Sequence, residues 1–219
     1  MTIKVIVFDF DGTLIDSNRI KYNAFFRLFN SEKRIKAVIE DILSIYREKP
    51  RNFIIKKIIT ELLIKNIINI ENIEESVLYY VKLYSKIVEK EALVCKEIGG
   101  ASNTLKELSR DFNLYINSTT PINQLKRIVN KRPFSPYFKG IYGSPKTKIG
   151  NLRNILKLEK VQGGNVLVVG DGESDLKSAQ KSNCKFVGIH NEFNNFDRAA
   201  FHVTDDFSSL KSFLIADDL

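Results

Sequence analysis

Residues 3–8, IKVIVF, form an almost unbroken apolar run with Lys4 as its only charge, and the run stops abruptly at Asp9-Phe10-Asp11-Gly12. A strand with one wet face alternates apolar and polar residues. A strand apolar at both parities has to be covered on both faces, as in a parallel sheet with helices on either side. Three more runs share this character: 113–117, 165–169 and 185–189. Helical patterns lie between and after them, over 101–110, 122–130, 148–158, 174–181 and 208–215. Strands alternating with helices of this length predict an α/β fold with a Rossmann-like parallel sheet.

The stretch from Ser17 to about 91 has a different period. RIKYNAFFRLF, KAVIEDILSIY, FIIKKIITELLIKNI and EESVLYYVKLYSKIV each repeat apolar residues at spacings of three and four, the signature of amphipathic helices. Pro50 marks a break between two of them. Isoleucine is a modest helix former, so these helices depend on packing against one another. The expected organisation is an α/β core over 1–16 and 93–219 with an all-helical cap over 17–92, inserted directly after the first strand.

A chain of 219 residues buries roughly 70% of the surface of its unfolded form, so it needs no covalent staples. Its two cysteines, Cys95 and Cys184, have no nearby partner at a metal-ligand spacing and are expected to be reduced and buried, in keeping with a cytoplasmic protein. The acids at positions 9 and 11 interrupt any leader-like run, and no apolar stretch approaches the length of about 20 residues that spans a membrane. The net charge of +8 is spread among acids along the chain instead of forming a stripe. This speaks against a nucleic-acid partner and leaves a general attraction for small anions. Both a monomer and a homodimer fit the apolar content of the cap.

Open parallel sheets place ligands at the carboxyl ends of their strands. Asp9 and Asp11 stand at one such end and are followed by Gly12 and Thr13. Asp171, Glu173 and Asp175, in GDGESDL, stand after the run NVLVV. With a turn at Gly172 and a helix starting nearby, Asp171 and Asp175 converge while Glu173 faces elsewhere. Carboxylates gathered at apolar strand ends are costly unless a cation compensates them, and hard oxygen ligands suit Mg2+. Ser118 closes the second run with a hydroxyl able to meet a phosphate oxygen. Lys148 opens a helix, from which its ammonium can meet both that phosphate and the first carboxylate.

With these residues in view, the chain resembles the haloacid dehalogenase-like hydrolase superfamily, in particular phosphoglycolate-phosphatase-like members with a helical cap after the first motif. DFDGT resembles the first motif, INST the second and GDGESD the fourth. The third-motif lysine is matched by Lys148 in SPKTK, with Lys146 as the alternative. The resemblance implies a magnesium-dependent phosphatase acting on a small phosphate monoester. Asp9 would be its nucleophile and Asp11 its general acid and base, with Asp9, Asp11, Asp171 and Asp175 around the metal. Gly12, Thr13, Ser118, Thr119 and Lys148 would surround the phosphate. Arg19 and Tyr22 on the first cap helix are candidates to face the leaving group. A dehalogenase of the superfamily needs neither Asp11 nor the second acid cluster. A phosphomutase needs the same residues as a phosphatase and stays open, and a non-catalytic phosphometabolite-binding protein is the remaining alternative.

Overall fold

The computed structural model describes residues 2–29, 32–47, 49–194, 196–208 and 210. The chain forms two compact units, Met1–Asp16 with Cys95–Leu219 and Ser17–Val94. The first unit contains the strands β1 (Val5–Phe8), β2 (Asn113–Pro121), β3 (Phe138–Ser144), β4 (Val166–Gly170), β5 (Lys185–Ile189) and β6 (His202–Thr204). All pair in parallel, in the order β3-β2-β1-β4-β5-β6. The helices described are α1 (Asn18–Leu28), α2 (Lys33–Tyr46), α3 (Arg51–Ile64) and α4 (Ile73–Ala92) in the second unit, and α5 (Ala101–Leu108), α6 (Ile122–Val129), α7 (Lys148–Glu159) and α8 (Glu173–Gln180) in the first.

β1 lies at the middle of the sheet and shows why its sequence is apolar at both parities. Val5 and Val7 pack with Leu152 and Ile155 of α7 and Ala179 of α8. Phe8 turns to the opposite face, where its ring meets Phe138 and Phe207 at centroid distances of 6.2 and 5.8 Å. The register sets Phe8 beside Ile116 of β2 and Val169 of β4, so the three central strands end almost level. The ladder continues one step past β1, with the Asp9 N–H donating to the Val169 carbonyl at 2.8 Å.

Two strands were not anticipated from the sequence, and both are edges. β3 reads FKGIYGS and is mostly half-buried; β6 has only three residues. Short, partly wet edge strands carry little apolar signal. β2 also runs further than 113–117, reaching Pro121 through a register irregularity after Asn117. The helix expected over 208–215 lies, beyond 210, outside the described residues. Cys95 and Cys184 are in no disulfide and are half-buried where burial was expected, and burial pushes the Cys184 thiol up to about 11.

The second unit is all helical, with its own core. α2 ends four residues before Pro50, and α3 starts immediately after it. Asn72 caps α4 by accepting from the Glu75 N–H at 3.2 Å, which satisfies one of the helix's first free donors. Ile54, Ile55, Ile58, Ile59 and Leu62 form one buried stripe of α3. Phe25 of α1 and Phe29 directly after it meet Tyr84 and Tyr80 of α4, with centroids 4.6 Å apart in each pair. Among the described residues, no helix is long and apolar enough to cross a membrane.

Because Ile55 is fully buried in this core, Ile55→Ala should cost about 2–5 kcal/mol, the usual cost of cutting a buried aliphatic side chain to a methyl. Urea unfolding followed by far-UV circular dichroism measures it. A loss below about 1 kcal/mol would mean that the stripe does not carry the helical unit.

Candidate active site

Period-two alternation and strand order together decide which side chains meet. Asp9 continues the parity of Val5 and Val7 and so faces the side of the sheet covered by α7. There the first residue of α7 is Lys148. Its ammonium, almost fully buried, lies 3.0 Å from Asp9 Oδ1 and 2.8 and 2.9 Å from the two oxygens of Asp175. Asp175 sits in the first turn of α8, and its Oδ2 also accepts from the Gly172 N–H at 3.3 Å. Asp171 follows β4, the neighbour of β1. Each of Asp9, Asp171 and Asp175 offers a carboxylate oxygen within 4.8 Å of the others, and all three are buried.

Lys148 is fixed by the local structure around it. Thr147 caps α7, its hydroxyl accepting from the Gly150 N–H at 3.1 Å. Asn117 of β2 donates to the Lys148 carbonyl at 2.9 Å, and Asn151 donates to Asn117 Oδ1 at 3.1 Å. Lys148, Asn151, Leu152 and Ile155 share one buried face of the helix, at the spacing expected for it. Lys146, two residues earlier, is exposed.

Asp11 is buried and accepts from the Thr120 hydroxyl at 2.7 Å. Gly12 follows with φ 77°, a left-handed conformation that favours glycine. The Thr13 hydroxyl donates to Asp171 Oδ1 at 3.1 Å. Ser118 is buried, and its Oγ accepts from the Thr120 N–H at 3.1 Å. Thr119, on the opposite parity of β2, is exposed. Glu173 points away and pairs with Lys177 at 2.7 Å. Arg19 and Tyr22 lie on α1 in the helical unit, Tyr22 against Phe26 at 5.3 Å between ring centroids.

Several residues that shape the site were not anticipated. Thr120 is signalled by alternation, being two residues after Ser118. Asn117 and Asn151 are polar residues on otherwise apolar buried faces. Asn191 and Asn194 follow β5, where Asn191 Nδ2 donates to Asp171 Oδ2 at 2.8 Å and Asn194 Nδ2 donates to the Asp171 carbonyl at 3.0 Å. The signal for these two is an asparagine-rich loop, HNEFNN, directly after an apolar run.

The electrostatics all lean one way. Burial alone pulls the Lys148 pKa down, but Asp175 and then Asp9 more than reverse this and hold it above the ordinary lysine value. Burial raises Asp175 well above the usual carboxylate range; Lys148 opposes the shift, and Asp9 and Asp171 add to it. Both directions favour more positive charge in the cluster. Asp9 Oδ1, although close to the ammonium, has no well-directed hydrogen bond, which is rare for a buried polar atom. Three buried carboxylates gathered within 4.8 Å of one another, only two of them against the ammonium, make a donor set that fits a hard divalent cation.

Residues 6–189 match the family model described as haloacid dehalogenase-like hydrolase. The chain belongs to the haloacid dehalogenase-like hydrolases. This hydrolase has the fold of several solved structures. The magnesium-bound protein YfnB of Bacillus subtilis superposes with a TM-score of 0.76 at 16% identity, over 98% of this chain and 99% of that one. A predicted phosphoglycolate phosphatase of Haemophilus somnus gives 0.77 at 15% identity, over 97% and 98%. CbbY of Rhodobacter sphaeroides, solved with xylulose-1,5-bisphosphate, gives 0.70 at 15% identity, over 95% and 96%. No curated protein sequence matches this hydrolase.

The close approach of β4 to α8 gives a test of the site's construction. A Cβ on Gly170 would lie 2.4 Å from Asp175 Cγ and 2.5 Å from its Cβ, too near for a simple rotation to relieve. Gly170→Ala should therefore move the start of α8 and cost about 1–3 kcal/mol, as overpacking does. Lys148→Met, which strips the ammonium from its buried partners, should cost about 3–5 kcal/mol. Denaturant midpoints in EDTA measure both, and wild-type stability in either variant would contradict the packing described.

Proposed function

We propose that this hydrolase removes phosphate from a phosphate monoester of a small metabolite, through a phosphoaspartate on Asp9 and with Mg2+ as cofactor. The observation that carries this reading is the buried contact of Lys148 with both Asp9 and Asp175, beside Asp171, at the carboxyl end of the central strands. The carboxylates of Asp9 and Asp171 and the backbone carbonyl of Asp11 would hold the magnesium, which would supply positive charge to offset that of the phosphoryl oxygens. Asp175, both of whose oxygens face Lys148, serves at the edge of that site by holding the lysine.

A carboxylate oxygen of Asp9 attacks phosphorus, forming an acyl phosphate as the ester P–O bond breaks. Asp11 gives a proton to the departing oxygen. It then takes a proton from the water that attacks the phosphoaspartate, so that inorganic phosphate leaves and the Asp9 carboxylate returns. The Thr120 hydroxyl bound to Asp11 Oδ2 orients this carboxyl group for both transfers. Ser118 accepts from the Thr120 N–H, which directs its own O–H toward an anion. With the Lys148 ammonium, it stabilises the phosphoryl group where charge develops during transfer. Gly12 and Thr13 shape the loop between Asp9 and Asp171. The reading agrees with a cytoplasmic enzyme of small phosphorylated metabolites.

The test is hydrolysis of an aryl phosphate and of a panel of metabolite phosphates, with product analysis for isomerisation as well as free phosphate. Activity should disappear in EDTA and return with magnesium. Asp9→Asn should reduce turnover by at least about a thousandfold, and Asp11→Asn by about 10²–10⁴. A wild-type protein inert to the aryl phosphate and to the whole panel would overturn the proposal.

A further inference from the structure

Asp171 is held by neutral donors on both carboxylate oxygens and on its backbone carbonyl, two of them from the loop after β5, an element that the mechanism does not use. Its Oδ1 accepts from the Thr13 hydroxyl at 3.1 Å and its Oδ2 from Asn191 Nδ2 at 2.8 Å. Its backbone carbonyl accepts from Asn194 Nδ2 at 3.0 Å. Both asparagines are themselves anchored. Asn191 Oδ1 accepts from the Phe193 N–H at 2.8 Å, the turn in which an Asn side chain binds its own backbone two residues on. Asn194 Nδ2 also donates to the Ile189 carbonyl, the last of β5, at 2.8 Å.

This arrangement fixes the amide of Asn191 in one sense. With Oδ1 committed to Phe193, the amide nitrogen is the end that faces Asp171. The donors from Thr13, Asn191 and Asn194 are all neutral, whereas Asp9 and Asp175 face an ammonium. Neutral donors set the direction of a carboxylate without cancelling its charge. A hydrogen bond to each oxygen fixes the plane of the carboxylate, which is what an oxygen ligand of a cation needs.

We propose that Asn191 and Asn194 are positioning residues for Asp171, fixing the direction in which its carboxylate and the loop that bears it are presented to a divalent cation. This inference rests on the magnesium site proposed above. It adds the end of β5 to the elements that build the site, so that four neighbouring strands, β2, β1, β4 and β5, contribute to it.

The experiment is binding of Mg2+ by calorimetry and of Mn2+ by electron paramagnetic resonance, on the full chain. Asn191→Ser keeps a side-chain oxygen for the Phe193 N–H but is too short to reach Asp171. It should weaken both metals about tenfold or more, with far-UV dichroism and the Tm in EDTA unchanged and with kcat restored by excess magnesium. Asn194→Ser should weaken metal binding in the same direction and decides the question if Asn191→Ser does not fold. Wild-type metal affinity in the folded variants overturns the proposal while leaving the magnesium site intact. If the wild type itself binds neither metal, and so behaves like Asp171→Asn, the magnesium reading fails and this proposal fails with it.

Discussion

A single ammonium, that of Lys148, sits buried between Asp9 and Asp175, and the active end of the sheet is organised around it. Placing an ammonium in the interior costs several kcal/mol unless charged partners surround it. The cost is met only when α7 begins at the right height, when α8 delivers Asp175 from its first turn, and when β1 stops where Asp9 continues its ladder. The Thr147 cap and the hydrogen bonds from Asn151 to Asn117 and from Asn117 to the Lys148 carbonyl hold the lysine's backbone, while Asp9 and Asp175 hold its side chain. Displacing any one of these elements leaves a charge without its partner.

The sheet order explains why residues far apart in sequence share this point. β1 is central, and the order turns from β3-β2-β1 on one side to β4-β5-β6 on the other. The crevice of an open α/β sheet lies at such a reversal. Asp9 follows β1 and Asp171 follows β4, and the two strands are neighbours. Gly170 completes the join, because its lack of a side chain lets Asp175 pack against the strand end.

Much of this was legible in the sequence because burial on two faces leaves an unambiguous pattern. β1, β2, β4 and β5 are apolar at both parities, and each was found as a run. The four helices of the second unit were found from their spacing, since each buries one stripe. β3 and β6 escaped because an edge strand is covered on one side only, and three residues are too few to show a period. The same logic applies within the site. The acids stood out as charges at the ends of apolar runs. Thr120, Asn117, Asn151, Asn191 and Asn194 did not, because a neutral polar residue acquires its meaning from a partner supplied by another strand. Ser118 and Thr119 were adjacent candidates in sequence, yet the pleat sends them to opposite sides and gives the contact with Asp11 to Thr120.

The balance of charge in the cluster bears on both folding and chemistry. Lys148 is held above its ordinary pKa and Asp175 is raised well above its own, so the folded chain keeps one proton and draws toward another. The raised lysine supports the folded state while the raised carboxyl group opposes it above the ordinary carboxylate range. Proton uptake by Asp175 would relieve the excess but would weaken its hold on Lys148. A cation bound to the native state relieves the same excess and adds stability in proportion to its occupancy, without removing any of the hydrogen bonds that orient the lysine. The neutral donors on Asp171 fit that second solution. They orient its carboxylate without themselves adding positive charge, which suits a ligand of a cation.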